Sequence, residues 1–541
     1  MKINTLIRIV AIFSILLLFM VFGLYSYFRL GEIQKSGSFD LYSIVPEDVN
    51  AVFDTDDLTA FINNLDKTTG SKNGAELDVS PLFSLLHSNF QLLLKELPHG
   101  FSGQMNKVLI SFHGADEDQN QVLYCSLAPG DASVLEKFIR KHCACVYPSK
   151  YIDYKGEEIS VYAMADGKFL ACYFTSRFLA VSYKSKLLEK VIDTSLSGSS
   201  LSDNVSFKRL HDIKKMDSYA NLYIRMFHVS MGKTLNRDNS FLTLGGWTAF
   251  DLKMRGDAIY LSGLNSDTDS CLTFMSVLRK QDSIQGFSRN MLPVSTISFT
   301  NRSISDLQSL FEYTFSNRDV KTLYSDSCYE INKELFNFLK ENSGKNMLSC
   351  LFYATDTLLT PCAVTIIPML DMLQAEKMLQ TFFIVPNSLD LEKTFWKDKT
   401  LLKVGSSKYY VYNIPSNILF ARSFGFMREL PQTYACFYHN SLLLAGDRES
   451  LSSYIDLLDH NLTLGIKSIY EEAVSGLAPS YNFMFVSDLE EVFNQPEINV
   501  SSIPTFIFAH QDFFRHFILS IQLTCENESV YSNINFIYKG E

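Results

Sequence analysis

Three of the four residues in His142-Cys143-Ala144-Cys145 carry donor types that hold a soft metal ion. A structural zinc site takes four such donors, the second pair coming from elsewhere in the chain at a recognisable spacing. The chain is internally repeated and the repeat has nothing equivalent near Phe382, so the expectation is a helix end running into a strand. His510, Asp512 and His516, within AHQDFFRHF, bring imidazoles and a carboxylate of the kind used for proton transfer. Residues recur on one helical face at spacings of three or four, which these two histidines do not match, so only a turn could make the three converge. His439 falls on a hairpin turn and matches Thr175 in the other copy, which marks a surface turn residue. The acid pairs Glu157-Glu158, Glu471-Glu472 and Glu490-Glu491 point in diverging directions and read as solvated surface.

The common signatures are missing. No GxxxxGK[ST], GxGxxG after a strand, GxSxG or HExxH occurs, so no catalytic, cofactor-binding or metal-binding residue is assigned and no cofactor is expected. The enzyme question stays open, leaning towards a non-enzyme. A hydrolase with its site confined to one copy is the weakest of the readings.

The elements that would position any site come in two copies. LACYFTSRFLAVSYKSKLLEKVID and YACFYHNSLLLAGDRESLSSYIDL place Ala171, Cys172, Leu179, Leu187 and Val191 on Ala435, Cys436, Leu443, Leu451 and Ile455 without a gap. The register extends to Val45-Pro46 on Leu292-Pro293, Asp131 on Asp371, Tyr219 to Ile224 on Tyr481 to Val486, and Lys253 to Tyr260 on Thr524 to Tyr531. A repeat this long sets the architecture before any other pattern is read, and what the copies share is apolar and turn-forming.

Within the first copy, apolar spacing predicts a strand over Val49 to Phe53 and helices over Asp57 to Leu65 and Leu82 to Leu94. A hairpin is predicted around ADEDQN, then a helix capped by Asp131, strands from Ile159 to Tyr183 and a further helix. Short polar turns between adjacent strands imply antiparallel sheet, so the expected fold class is α+β: two tandem, duplicated domains with mainly antiparallel sheets and packed helices, behind an N-terminal transmembrane helix. The expected boundaries are a cytoplasmic N-terminus over 1–8, the membrane helix over 9–28, a tether over 29–40, the first repeat over 41–265, a connection over 266–290 and the second repeat over 291–541. Each copy closes in a long hairpin, through whose edges the two sheets could pair.

The transmembrane expectation rests on IVAIFSILLLFMVFGLYSYF, an uncharged run between Arg8 and Arg29 long enough to cross a bilayer once as a helix. Lys2 and Arg8 favour an N-terminus inside, which places a single-pass protein in the inner membrane with the bulk of the chain periplasmic and the bilayer as one partner. The net charge of −11 is spread without long runs, so nucleic acid is not an expected partner. Forty-three Phe and twenty-seven Tyr fall mostly in strand-like runs and read as sheet surface and core. Five of the ten cysteines, Cys125, Cys172, Cys362, Cys436 and Cys525, do too, so few or no disulfides are expected.

Two places exceed what folding alone asks for. Trp247 stands in LGGWTAFDL, and Leu419, Phe420, Arg422, Phe424, Phe426 and Met427 form an insertion without a counterpart in the first copy. Aromatics with Arg are the composition of interface hot spots, which makes these residues a candidate binding surface. The anchor and tether, the phrase Ile44-Val45-Pro46-Glu47-Asp48, the GGWTAFDL strand and the closing hairpins resemble a family of uncharacterised, Bacteroidetes-like single-pass bacterial envelope proteins with a duplicated exported region. That resemblance implies a Gram-negative envelope and supplies no catalytic residues. The leading expectation is an anchored, non-enzymatic scaffold holding an envelope protein partner. The alternative is a carrier or sensor for an apolar small molecule or lipid, held between helices and sheet.

Overall fold

Alternating apolar segments bounded by polar turns build a sheet far larger than either repeat alone. In the computed structural model twenty strands join one sheet whose pairings are all antiparallel. The structure describes residues 39–67, 80–96, 103–114, 118–145, 147–213, 219–226, 229, 245–266, 273–316, 335–354, 361–382, 400–415, 432–466, 468–495 and 502–539.

The first half supplies β1 (Ala51–Thr55), β2 (Val108–Phe112), β3 (Gln121–Ser126), β4 (Lys150–Tyr154), β5 (Glu157–Ala163), β6 (Phe169–Phe174), β7 (Phe178–Ser182), β8 (Ala220–Arg225), β9 (Trp247–Arg255) and β10 (Ala258–Asn265). After the short β11 (Ile284–Gln285) come β12 (Thr296–Ser303), β13 (Asn346–Phe352), β14 (Cys362–Pro368), β15 (Thr400–Val404), β16 (Ser407–Pro415), β17 (Gln432–Tyr438) and β18 (Ser441–Ala445). Then follow β19 (Ser480–Tyr481), which pairs with β11, and β20 (Phe483–Asp488), β21 (Phe517–Glu526) and β22 (Ser529–Tyr538).

In space the first half runs β4, β5, β6, β7, β3, β2, β1, β8, β9, β10. The second half runs β15, β16, β17, β18, β14, β13, β12, β20, β21, β22, the same order copy for copy. β10 and β22 pair with each other, so the whole sheet is a palindrome about that join. Ser262 faces Asn533 at its centre, and these two are equivalent under the same offset that lays Lys253 on Thr524.

The expected fold class is therefore corrected. The halves do not form separate domains with their own sheets. A long terminal hairpin leaves a row of unpaired N–H and C=O groups on its outer strand, and each copy satisfies them with the other copy's equivalent edge. The membrane part of the expectation falls on residues 9–28, outside the described residues. Among the described residues no helix is long and apolar enough to cross a membrane. The single-pass inner-membrane placement is corrected on that finding and carried no further.

Helices cover both faces. On one lie α1 (Leu58–Leu65), α2 (Pro81–Glu96) and α3 (Asp131–Phe138), packed on Val108 and Ile110 of β2. On the other, α4 (Ser185–Ser197) and α5 (Val205–Ile213) meet Leu109, the residue between them, as strand alternation requires. In the second half, α6 (Leu307–Ser316) and α7 (Met372–Phe382) continue the first face, whose core shares Leu252 with that of the first half. α8 (Arg448–Asp459) and α9 (Ser468–Ser475) continue the other. Asp131 is not the cap that its position before a helix predicts. It is the first helical residue, Gly130 at φ 99° is the cap, and the Asp131 carboxylate accepts from Ala128 N at 2.8 Å.

Candidate functional site

The first half holds an apolar cavity of about 100 Å³ between its three helices and the sheet. α2 supplies Leu82, Leu85, Leu86 and Leu93, whose spacing keeps them on one side of the helix. α3 adds Leu135 and Phe138, and the sheet forms the floor with Val108, Leu123, Cys125 and Leu179. Immediately after α3 the chain widens into a π-turn, Ile139–Cys143, and both of its end residues line the cavity. Such turns recur at functional sites because they misalign the helical ladder to re-aim side chains.

Among the described residues no charged side chain lines this space, and Asn89 is the one lining residue with a side-chain nitrogen or oxygen. Burial pushes the Cys143 thiol up to about 11 and the Cys125 thiol up to about 12, so both are neutral thiols at neutral pH. The wall meets solvent along α2, where Leu85, Leu86 and Asn89 are partly exposed. Two histidine–carboxylate contacts tie that helix down. His87 Nε2 lies 2.8 Å from Asp66 Oδ1 just past α1, and His142 Nε2 lies 2.8 Å from Glu96 Oε1, to which Lys141 Nζ also donates.

A second cluster has the composition of a hydrolase. Ser111 of β2 and His113, the residue just past its end, fall on one side of the sheet, the Ser111 hydroxyl lies 2.8 Å from His113 Nε2, and His113 Nδ1 lies 3.8 Å from Asp48 Oδ1. The rest of the geometry is wrong for acyl transfer. Ser111 is 0 % exposed and its strand is paired on both sides, to β1 and β3, so it offers neither an accessible nucleophile nor free N–H groups for an oxyanion. The cluster fastens the fold instead. Asp48 joins the buried ring to Lys190 of α4, whose Nζ is 2.5 Å from Oδ2.

The His113 contact, ahead of the Lys190 ammonium, holds the Asp48 carboxyl well below the usual carboxylate range, against the opposing effect of partial burial. A depressed folded pKa stabilises the fold above the ordinary carboxylate pKa of about 4, and that stabilisation is lost as pH falls through the folded value. Asp48 is 58 % exposed, so screening limits the effect. Asp48→Asn is expected to cost of the order of 1 kcal/mol at pH 7. The deficit should shrink below pH of about 4, read as the difference in urea midpoint between variant and wild type. An equal deficit at pH 7 and pH 3 would refute the ionic role.

The residues singled out from sequence do not assemble into a site. His142 turns to Glu96 while Cys143 turns to the cavity, so the cluster they open diverges. Among the described residues no group of three His, Cys, Asp or Glu side chains is placed to hold a metal. His510 reaches Asp118 of the first half at 3.4 Å, and His516 lies against the Tyr538 ring. Neither contact involves Asp512. His439 takes φ 47° in the two-residue turn between β17 and β18, a backbone role.

Trp247 is 3 % exposed and its ring packs edge-on against Phe207 at 5.4 Å, which makes it core and not binding surface. Leu419, Phe420, Arg422, Phe424, Phe426 and Met427 lie outside the described residues. The sequence reading missed the cavity and the Asp48–His113 cluster. Ser-x-His on a strand was the available signal for the second, and the leucine spacing of α2 for the first. Compared with protein-family models, curated proteins and solved structures, the chain matches none.

Proposed function

We propose that this chain is a non-enzymatic binding protein that takes up a small apolar molecule in its first half, as a carrier or sensor. The observation that carries the reading is the uncharged cavity under α2, lined by leucines, Phe138 and two neutral thiols and partly open along that helix. Apolar cavities of this order stay dry and take benzene-sized guests. Filling one recovers dispersion contacts that its lining otherwise lacks. The hydrolase reading is not supported, since the residues that would carry it point apart or are sealed in the core. The surface at residues 419–427 that would favour the scaffold reading lies outside the described residues.

Isothermal titration of the full chain with benzene tests the proposal. A dissociation constant of about 1 mM, or −4 kcal/mol, is expected. Cys125→Phe places a ring in the cavity from the β3 floor and is expected to abolish uptake while leaving the unfolding midpoint unchanged or raised. Unaltered benzene binding in that variant would place the guest elsewhere.

A further inference from the structure

We infer that the open face of the sheet at the join of the two halves binds a neutral oligosaccharide. The cavity under α2 lies on the opposite face, and the inference does not depend on it.

Facing residues of an antiparallel pair share one side of a sheet, so the register lays a polar row across the join. Asp251 of β9 faces Ser262 of β10, Ser262 faces Asn533 of β22, and Asn533 faces Gln522 of β21. Two residues along the strands in either direction stand Tyr260, which faces Lys253, and Tyr531, which faces Leu264. Tyr260 identifies the side, because a Cβ on Gly476, just past α9, would lie 4.0 Å from its Cε1. On this side α5 packs on Trp247, and α9 accepts from Ser520 Oγ at the Ala473 carbonyl. The sheet between them is bare. Ser262, Lys253 and Tyr531 are exposed, and Asp251, Tyr260 and Asn533 are half-buried. Among the described residues the side chains of Ser262, Asn533, Tyr260 and Tyr531 have no hydrogen-bond partner.

The residue types select the occupant. At the strand positions of this side, Asp251, Lys253 and Arg255 on β9 and Glu526 on β21 bring two charges of each sign, so no net field selects an anion or a cation. A peptide added as a strand needs an open edge, and β10 and β22 are each paired on both sides. What remains is hydroxyl, amide and aromatic surface. Sugar hydroxyls donate and accept, as do the Ser262 hydroxyl and the Asn533 amide, and the C–H face of a sugar ring packs on a tyrosine as other apolar surface does. Tyr260 and Tyr531 stand four residues apart along the strands, about 14 Å at roughly 3.4 Å per residue, a span for several linked rings and not for one.

Isothermal titration of the full chain with cellotetraose, maltotetraose and chitotetraose tests the inference. At least one is expected to bind with a dissociation constant of about 1 mM or lower. Tyr531→Ala should weaken that binding about tenfold and Asn533→Ala about fivefold, while Tyr531→Phe, which keeps the ring, should stay within about twofold of wild type. Tyr531 is 42 % exposed, so its substitution should leave the urea midpoint unchanged, which separates a lost contact from unfolding. Binding of none of the three at millimolar concentration, or binding that survives both alanine substitutions, would overturn the inference. Neither outcome bears on benzene uptake by the cavity.

Discussion

Gly263→Val is expected to destabilise the protein by about 3 kcal/mol, the upper end of what overpacking a core costs. Gly263 sits mid-strand in β10, opposite Phe250 on β9 and Ser532 on β22. A Cβ there would lie 2.5 Å from Phe250 Cδ1, 2.7 Å from Cε1 and 3.1 Å from Ala249 O. The ring cannot swing away, because Phe250 is 0 % exposed and belongs to a core built mostly from the second half. Glycine is required here for space, and the aromatic ring covers the backbone that glycine leaves bare. Urea unfolding measures the cost. Phe250→Leu combined with Gly263→Ala should show a coupling of at least about 1 kcal/mol, since removing the ring makes room for the methyl group. Tolerance of Gly263→Val within about 0.5 kcal/mol would show that the ring does not lie over this strand.

The second large effect concerns the join. The first half expressed alone, residues 39–266, is expected to form a two-fold dimer in which β10 pairs with β10 of another copy and Ser262 faces Ser262. The intact chain already makes this contact between equivalents, Ser262 with Asn533. Without the second half, β10 presents an open edge, and Leu222, Ile224, Leu252 and Ile259 lose the core that covers them. Sedimentation should show a dimer at micromolar concentration, converting to a one-to-one complex when residues 273–541 are added. A stable monomeric first half, indifferent to the second, would mean that the continuous sheet is not what holds the halves together.

The parts of this architecture that were legible from sequence are those written locally. The helix expected over Asp57 to Leu65 appears as Leu58–Leu65, with Asp57 Oδ1 accepting from Ala60 N at 2.9 Å, and that over Leu82 to Leu94 appears as Pro81–Glu96. The hairpins of the first copy recur for the same reason, since turn residues and apolar alternation lie within a few positions of each other. β4 was missed because, as an edge strand, it is exposed at three of its five positions and only Ile152 and Tyr154 are half-buried, too short a pattern to set a period. β12 was missed for the opposite reason. All eight of its residues are buried, polar ones included, and the Asn301 amide nitrogen donates to Asn346 Oδ1 and to the Tyr481 hydroxyl, both far away in sequence. No periodicity distinguishes such a strand from a loop.

The sequence by itself determined that the body is built twice, that both copies are antiparallel sheet with helices, and that the familiar catalytic signatures are missing. Each of these follows from residue types at short, regular spacings or from the alignment of one half on the other. Only the tertiary structure decided that the two sheets are one, because each closing edge could pair with its equivalent or stay free, and nothing local chooses between them. Only it brought Asp48, His113 and Lys190 together and then showed Ser111 sealed beneath them. The cavity is the clearest case. It is the space left over when the side chains of three helices and four strands fail to fill the volume between them, a property of their sum that no single segment encodes.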